Sequence, residues 1–399
     1  MSSSRSSWAY TLPAALLLMA PFDILASLGM DIYLPVVPTM PEILGTTPAI
    51  IQLTLSLYML LLGAGQLIFG PLSDRIGRRP VLLTGAALFV LASTAAALSN
   101  SAWAFVGFRV LQALGASATL VALFATVRDV YADRPEGVVI YSLFSSILAF
   151  VPALGPIAGA LIARMGGWQA IFLSLAAMGL IAWIHALCRW QETRPAKPLH
   201  SQQRALAVFK SPAFWVYTLG FSTGMGTFFV YFSTAPRVLI GQAGYSEVNF
   251  SLAFASVALV MIATTRLSKT FVARWGTAGS LRRGMGLIAL AALLLAAGQL
   301  LLEPSFSSFI LPMWLAAMGI VMTVSVTANG ALAQFNDVAG SAVAIYFCVE
   351  SLIVSVFGTV AVTLLGGDTA WPLVVFGLGM SSVVLLALML LEARPKREV

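Results

Sequence analysis

Residues 70–80 read Gly-Pro-Leu-Ser-Asp-Arg-Ile-Gly-Arg-Arg-Pro, a polar and strongly basic turn between two long apolar segments. Apolar residues make up 59% of the 399-residue chain, and charged residues only 9%. A helix that crosses the hydrocarbon core of a bilayer needs about 20 apolar residues. The sequence therefore predicts an all-α membrane protein with twelve transmembrane helices, near residues 10–35, 48–72, 80–99, 103–127, 138–163, 169–190, 213–238, 248–273, 284–302, 306–331, 339–365 and 371–391.

Basic residues mark one side of this predicted topology. If the N-terminus is cytoplasmic, 19 of the 22 lysines and arginines fall on the cytoplasmic side, as the positive-inside rule requires. Arg109 lies within a segment, and Arg164 and Arg237 fall towards the opposite side. An even number of helices brings the chain back to its starting side, so both termini are predicted to be cytoplasmic. The net charge of +7 reflects this asymmetry and gives no support to nucleic-acid binding.

The longest polar stretch divides the chain into halves of six apolar segments each. Residues 191–212 are predicted to form a cytoplasmic connector between an N-terminal bundle, residues 1–190, and a C-terminal bundle, residues 213–399. Arg274-Trp275-Gly276 in the second half is a weak echo of the basic turn in the first. Paired six-helix repeats with a site between them near the bilayer midplane are a transporter architecture.

The residues that enzymes and metal sites need are scarce in this sequence. There is no GxxxxGK[ST] phosphate loop, and the two histidines, His185 and His200, belong to no cluster. The two cysteines lie far apart within apolar segments, so no disulfide framework is indicated. We expect a protein that is not an enzyme, has no metal or cofactor, and draws its energy from the proton motive force.

The basic turn contains charged residues that are predicted to form a breakable ion pair between helices. Gly70-Pro71 is predicted to end the second helix, and Gly77 permits the tight turn that returns the chain to the membrane. Arg128-Asp129 ends the fourth segment at the same membrane face. We predict a breakable cytoplasmic gate in which Arg78 pairs with Asp129, with the other members being Gly70, Asp74, Arg75 and Gly77. The alternative is that these charges are only positive-inside anchors.

Arg109 is the charged residue that is predicted to lie within the fourth helix, about 10 Å from its outer end. A charge at such a depth costs about 2.5–3.5 kcal/mol on insertion scales, so it normally faces a cavity and has a partner. Gln112 repeats the polar face at i+3. The alternative is an arginine whose side chain reaches the outer interface.

Two acidic residues interrupt the first segment. Asp23 is predicted to lie close to mid-membrane, and Asp31 about 12 Å further out, which makes Asp31 the nearer match in depth for Arg109. Asp23 has no obvious countercharge in its own helix and is predicted to carry the proton. The alternative for Asp23 is a capping role in a helix that restarts after Pro21, which is compatible with proton transfer.

Three further features are candidates for transport. Gly155, Pro156 and Gly159 place small residues at four-residue spacing in the fifth helix, which lets helices approach closely, and Pro156 allows a bend. Glu350 is open to four interpretations: a second protonation site, a polar substrate contact, a side chain that reaches the membrane interface, or one that hydrogen-bonds to a neighbouring helix. The aromatic run 228–232 is expected to pack against lipid or protein, with some member facing the central cavity. The wider set of predicted cavity residues is Tyr33, Gln112, Phe228, Phe232, Tyr346 and Glu350.

Taken together, the motifs resemble those of a known family. The turn at residues 70–79 resembles the signature loop of the major facilitator superfamily, and residues 109–115 resemble its helix 4 motif, with Ala113 in place of the first glycine. Residues 155–159 resemble the helix 5 motif of its proton-antiporting exporters. Residues 21–27 and 30–35 look like helix 1 of the chloramphenicol and florfenicol exporters, and further similar stretches are 125–131, 211–215 and 328–332.

The resemblance covers about residues 8–371 and implies a function. It implies a twelve-helix drug:proton antiporter of the bacterial inner membrane that exports phenicol antibiotics and so confers resistance. It also places acid and arginine function at Asp23, Asp31 and Arg109. The expected partners are a neutral amphenicol drug, protons and the lipid bilayer, and the chain is expected to be a monomer. A broader multidrug exporter and a nutrient importer of the same fold are the alternatives.

Overall fold

The computed structural model describes residue 8 and residues 10–131, 135–194, 206–335 and 339–393. Within these ranges the chain is helical, without β-strands. The chain divides into two compact units, Met1–His200 and Ser201–Val399. Some residues used in the charge and topology predictions lie outside the described ranges: Arg5, Arg134, Lys197, His200, Arg204, Arg394, Lys396 and Arg397.

The described residues of the first unit form five long helices and one short one. They are α1 (Leu12–Asp31), α2 (Met40–Ile43), α3 (Pro48–Ile76), α4 (Arg78–Ala97), α5 (Ala102–Tyr131) and α6 (Pro135–Arg189). Helix α5 packs against both α3 and α4, and α6 packs against α1 and α4. Gly166 and Gly167 leave the helical conformation inside α6, with Gly167 at φ +73°. This break falls between the two apolar segments predicted near residues 138–163 and 169–190.

The second unit contains six long helices in the part that the structure describes. They are α7 (Pro212–Pro236), α8 (Glu247–Arg266), α9 (Ser268–Leu301), α10 (Leu311–Leu332), α11 (Ala339–Leu364) and α12 (Trp371–Glu392). Helix α7 packs against α10, α11 and α12, while α9 packs against α10 and α12. Gly276, at φ +65°, interrupts α9 near its start.

Ten helical stretches in the described part of the chain are long and apolar enough to cross a membrane. The protein is therefore a multipass membrane protein. Two features of the helices account for the difference between these ten stretches and the twelve predicted segments. The stretch Phe150–Arg189 counts as one although α6 breaks at Gly166 and Gly167, and α7, which is rich in glycine, serine and threonine, is not among the ten.

Each unit contains a pair of helices in backbone-to-backbone contact. A Cβ added at Gly115 of α5 would lie 2.6 Å from the carbonyl oxygen of Gly85 on α4, and a Cβ added at Gly319 of α10 would lie 2.6 Å from that of Gly284 on α9. Only glycine permits such an approach, as in other membrane helix pairs. The same close pair thus occurs in both units, about 200 residues apart in the sequence.

The predicted end of the second helix at Gly70-Pro71 is wrong. Helix α3 continues through Pro71 to Ile76, and the Gly77 N–H donates to the Ser73 carbonyl oxygen at 3.1 Å. A proline removes one intrahelical hydrogen bond, and the turn beyond it is held by contacts of Ser73 and Asp74 with Arg78. Helix α1 likewise runs unbroken through Pro21, so no restarted helix is present there for Asp23 to cap.

Candidate functional site

Arg109 lies at the centre of the polar core of the first unit, with its side chain fully buried. Its Nη1 donates to the carbonyl oxygen of Gly29 on α1 at 2.7 Å and to the Gln112 side-chain oxygen. The guanidinium carbon lies 4.8 Å from the ring centroid of Tyr33 and 4.5 Å from that of Tyr58. These distances lie within the range of cation–π interactions. The guanidinium is therefore enclosed by α1, α3 and its own helix rather than extended to an interface.

Gln112 connects this arginine to α4. Its Nε2 donates to Ser93 Oγ at 2.8 Å, and Ser93 Oγ donates to the Phe89 carbonyl oxygen at 2.6 Å. Gln112 and Ser93 are both fully buried. Because every link in this chain has a hydrogen-bond partner, it fixes the orientation of the Gln112 amide and hence of the arginine that bonds to it.

The predicted ion pair between Arg109 and Asp31 is not present in this conformation. The four salt bridges found among the described residues include neither of these two side chains. The carbonyl oxygen of Gly29 and the amide oxygen of Gln112 hold Nη1, and neutral aromatic rings cover the guanidinium. Two of its nitrogens, Nε and Nη2, have no hydrogen-bond partner in the described part of the chain.

Both acidic residues of α1 are buried, Asp23 at 6% exposure and Asp31 at 5%. Asp23 Oδ2 has no hydrogen-bond partner within the described ranges. An ionised carboxylate is costly in an apolar environment unless it is paired, whereas a protonated one is neutral. Asp23 thus has the surroundings of a residue that binds and releases a proton.

The glycines of the predicted helix 5 motif form the contact between α6 and the end of α1. A Cβ added at Gly159 would overlap the Ile32 carbonyl oxygen and lie 2.8 Å from the Ile32 carbonyl carbon. A Cβ added at Gly155 would lie 3.0 Å from the Cβ of Asp31. Pro156 lies between them inside α6. The motif therefore sets how closely α6 approaches the residues around Asp31.

The predicted ion pair between Arg78 and Asp129 is present. Arg78 Nε donates to Asp129 Oδ2 at 2.8 Å, and Nη1 donates to Asp74 Oδ1 at 2.5 Å and to Ser73 Oγ at 2.8 Å. The side chains of Arg78 and Asp129 are 2% and 4% exposed, whereas that of Asp74 is 56% exposed. These contacts of Arg78 connect the end of α5 to the α3–α4 turn. Their role as a gate stays a prediction.

Glu192 is a member of this region that sequence reasoning missed. Its Oε1 accepts from the backbone N–H of Arg78 at 2.8 Å, and its Oε2 accepts from that of Arg79 at 3.1 Å. A carboxylate that accepts from the first N–H groups of a helix is favoured by the helix dipole. Glu192 lies just after α6, so it attaches the chain beyond α6 to the start of α4. The available signal was an acidic residue near the start of the predicted connector, residues 191–212.

The other gate residues have simpler surroundings. The Arg75 side chain is exposed, and its carbonyl oxygen accepts from Arg194 Nη1. Gly70 is half-buried inside α3, with open space where a Cβ would stand. Gly77 is at φ +110° and caps the start of α4. It is thus the gate glycine whose backbone conformation requires that residue type.

The remaining predicted cavity residues belong to the second unit. Phe228 and Phe232 of α7 pack around Phe254 of α8, with ring centroids 6.3 and 6.0 Å from it. The Tyr346 ring lies 4.9 Å from that of Phe221. Glu350, one turn further along α11, is 3% exposed. The structure brings Tyr33, Gln112 and Arg109 together in the first unit, and a common cavity with Phe228, Phe232, Tyr346 and Glu350 stays a prediction.

Fold and site together define a membrane transporter with a buried arginine and buried acids in its first unit. The sequence pattern of the Major Facilitator Superfamily matches residues 22–359. The chain belongs to this superfamily.

Two resistance proteins are similar to this chain over most of its length. The chain is 50% identical over 387 residues to a chloramphenicol resistance protein of Pseudomonas aeruginosa, covering 96% of this chain and 92% of that one. It is 30% identical to the multidrug resistance protein MdtL of Shewanella oneidensis, covering 84% of this chain and 86% of that one.

Two solved structures share the fold at low identity. A D-xylose–proton symporter has a TM-score of 0.76 at 16% identity, covering 94% of this chain and 97% of that one. A POT family transporter in complex with 5-aminolevulinic acid has a TM-score of 0.74 at 14% identity, covering 98% of this chain and 97% of that one.

Proposed function

We propose that this protein is a proton-coupled exporter of phenicol antibiotics in the bacterial inner membrane. It spans the membrane with twelve helices in two six-helix bundles, with both termini in the cytoplasm. It is not an enzyme, works as a monomer without a cofactor, and uses the proton motive force. The substrate class rests on the 50% identity with the Pseudomonas chloramphenicol resistance protein over 96% of this chain.

The observation that carries the coupling mechanism is the carboxyl group of Asp23, which is buried at 6% exposure and whose Oδ2 has no partner among the described residues. In the proposed cycle Asp23 takes a proton from the outer side and releases it to the cytoplasm. Drug occupies the cavity while the carboxyl group is free of its proton. Proton binding and drug binding then exclude each other, which is the condition for antiport.

In the proposed cycle, Arg109 supplies hydrogen-bond donors to the transport site. In this conformation one nitrogen is bonded and two have no partner among the described residues. A guanidinium with free donors can bind a drug hydroxyl or the ionised carboxylate of Asp31 after the helices move. We infer that Arg109 exchanges partners during the cycle, with the Gly29 carbonyl oxygen as its partner in the state described.

The energetics allow useful export of a neutral drug. A proton that moves inward gains about 2.3 kcal/mol per 100 mV and about 1.4 kcal/mol per pH unit. At about 1.4 kcal/mol per tenfold of concentration, one proton per drug at 100 mV and one pH unit sustains a gradient of a few hundredfold. This value is the upper limit of the drug gradient that one proton per drug can sustain.

Drug susceptibility tests the function. A susceptible bacterial strain that expresses the protein should tolerate more chloramphenicol and florfenicol, and a proton uncoupler should restore drug accumulation in those cells. Cells that express Asp23→Asn at the same level are the matched control. Unchanged phenicol susceptibility in cells with verified membrane expression would contradict the proposal.

A broader multidrug exporter is the second candidate, and the relatives named multidrug resistance protein MdtL favour it. The same cells should be tested with structurally unrelated compounds, including lipophilic cations. Resistance confined to phenicols supports the first proposal, whereas resistance across the panel supports the second.

A further inference from the structure

Glu350 is a buried carboxyl group in the second unit that the mechanism above does not use. It follows the first residue of α11 by eleven positions, which places it about 17 Å along the helix. Its side chain is 3% exposed. Ser351 Oγ donates to Oε2 at 3.1 Å, while Oε1 has no hydrogen-bond partner within the described ranges. The neutral Ser351 hydroxyl is therefore the one hydrogen-bond donor found within the described ranges for the Glu350 carboxyl group, which carries a full negative charge when it is ionised.

The helices around Glu350 supply no positive charge. Helix α11 packs against α7, α12 and α10, and none of these four helices contains a lysine or arginine. Arg237 follows α7 directly, but its guanidinium lies against Gly367, beyond the last residue of α11. The salt bridge found among the described residues of this unit joins Arg282 and Glu392.

The other titratable groups on these helices are neutral or acidic. They are Tyr217 and Tyr231 on α7, Tyr346 and Cys348 on α11, and Glu392 at the end of α12, while α10 has none. Tyr346 lies one turn before Glu350 and packs against Phe221. Within the described part of this unit, a proton or a bound cation is therefore what remains to neutralise the Glu350 carboxylate.

We propose that Glu350 is a second proton-binding site, so that each transport cycle carries two protons inward, one on Asp23 and one on Glu350. The inference rests on the proposed proton-coupled export. The step is a simple protonation: the carboxylate binds one proton from the outer side and releases it to the cytoplasm when the helices rearrange. No further reactant is needed.

The second proton changes the driving force on a neutral drug. Each additional charge contributes about 2.3 kcal/mol at 100 mV, which corresponds to about 40-fold in drug gradient at about 1.4 kcal/mol per tenfold. A protein that lacks the second site would still export drug, but against a smaller gradient. Loss of Glu350 should therefore lower the limit of transport rather than abolish it.

The ratio of protons to drug can be measured in proteoliposomes by reversal potential. A fixed chloramphenicol gradient is opposed by a series of potassium diffusion potentials, and the potential of zero net flux gives the ratio. We expect about two protons per drug for the wild type and about one for Glu350→Gln. Glu303→Gln makes the same change at an exposed position after α9 and should keep the wild-type ratio.

The outcomes separate this inference from the function that it rests on. Wild-type protein without chloramphenicol transport would remove the proposed function. Wild-type transport with the same ratio in Glu350→Gln would overturn the second proton site alone. If Glu350→Gln keeps the ratio but loses transport of tetraphenylphosphonium, Glu350 is a contact for cationic substrates, and the proton proposal is again wrong.

A second measurement covers the case in which Glu350→Gln reconstitutes poorly. Purified protein in weakly buffered detergent should release protons when chloramphenicol is added, and a pH indicator counts them. Glu350→Gln should release about half as many protons per bound drug as the wild type. Equal release from the two proteins at equal drug occupancy would contradict the proposal.

Discussion

Gly77 and Glu192 fit against each other at the start of α4. The glycine is held at φ +110°, and the Glu192 carboxylate fills the space where a Cβ would stand, with Cδ 2.9 Å from that position. The same carboxylate accepts from the backbone N–H groups of Arg78 and Arg79. The turn thus needs glycine for two independent reasons, backbone conformation and room for the acid.

Gly77→Ala should therefore destabilise the protein. The backbone conformation at position 77 is one that residues other than glycine adopt at a cost of about 1–3 kcal/mol, and the added methyl group would displace Glu192. We expect a lower melting temperature in detergent. Gly70→Ala, in the same motif but with open space around it, is the matched control. Equal melting temperatures for the two variants would contradict the fit.

The two acids that bond to Arg78 should differ in importance. Asp129 is 4% exposed and Asp74 is 56% exposed. Breaking a buried ion pair by removing one partner costs about 3–5 kcal/mol, whereas exposed pairs contribute about 0–1 kcal/mol. Asp129→Asn should therefore lower stability and transport much more than Asp74→Asn. A double-mutant cycle of Arg78→Gln with Asp129→Asn measures the pair directly, and a coupling energy of zero would show that they do not interact.

Asp23→Asn should abolish drug-gradient formation and leave the protein folded. Asparagine has the size of aspartate but cannot exchange a proton, and Asp23 Oδ2 makes no hydrogen bond that the fold needs among the described residues. Reconstituted Asp23→Asn should show wild-type thermal stability and no uphill chloramphenicol transport. Uphill transport by this variant would remove Asp23 from the coupling mechanism.

Arg109→Lys should lose phenicol resistance although it keeps the positive charge. The planar guanidinium bonds to Gly29 and Gln112 while lying near the rings of Tyr33 and Tyr58. An ammonium group is a point charge that cannot reproduce this flat, forked geometry. The measurement is the inhibitory concentration of chloramphenicol at matched expression. Full resistance in Arg109→Lys cells would show that the guanidinium geometry is not required.

Gly159→Ala should disrupt the contact between α6 and the end of α1. The new Cβ would overlap the Ile32 carbonyl oxygen, so one of the two helices has to shift. We expect loss of transport together with a lower melting temperature. Gly107→Ala adds the same methyl group on α5, where nothing lies within 4 Å, and should behave like the wild type. If both variants transport normally, the close approach is not needed for function.

Much of the fold followed from the sequence because membrane helices are set by local composition. Apolar length and charge asymmetry predict spans without reference to distant contacts. The ends of helices were less predictable. The sequence indicated that Pro71 ends a helix, yet α3 continues to Ile76, because contacts of Ser73 and Asp74 with Arg78 hold the turn beyond the proline.

The site was predictable where charge alone decides the partner. Arg78 lies at the start of α4 and Asp129 near the end of α5, so both lie at the same end of these helices, and they pair as predicted. Gln112 was expected on the same face of the helix as Arg109, but the Gly29 carbonyl oxygen and the two tyrosine rings were not predictable, because they carry no charge signal in the sequence. Glu192 was missed for a related reason: its partners are backbone N–H groups, which every residue except proline possesses.

The glycine contacts between α4 and α5, and between α9 and α10, restrict how the protein can change shape. Where two helices touch through their backbones at Gly85 and Gly115, or at Gly284 and Gly319, the glycines have no side chain that could change rotamer and let the helices slide. Each pair must therefore tilt as a single rod during transport. The bending that a transport cycle requires has to occur in other helices, such as α1, α3 and α6, which contain the internal prolines Pro21, Pro71, Pro152 and Pro156.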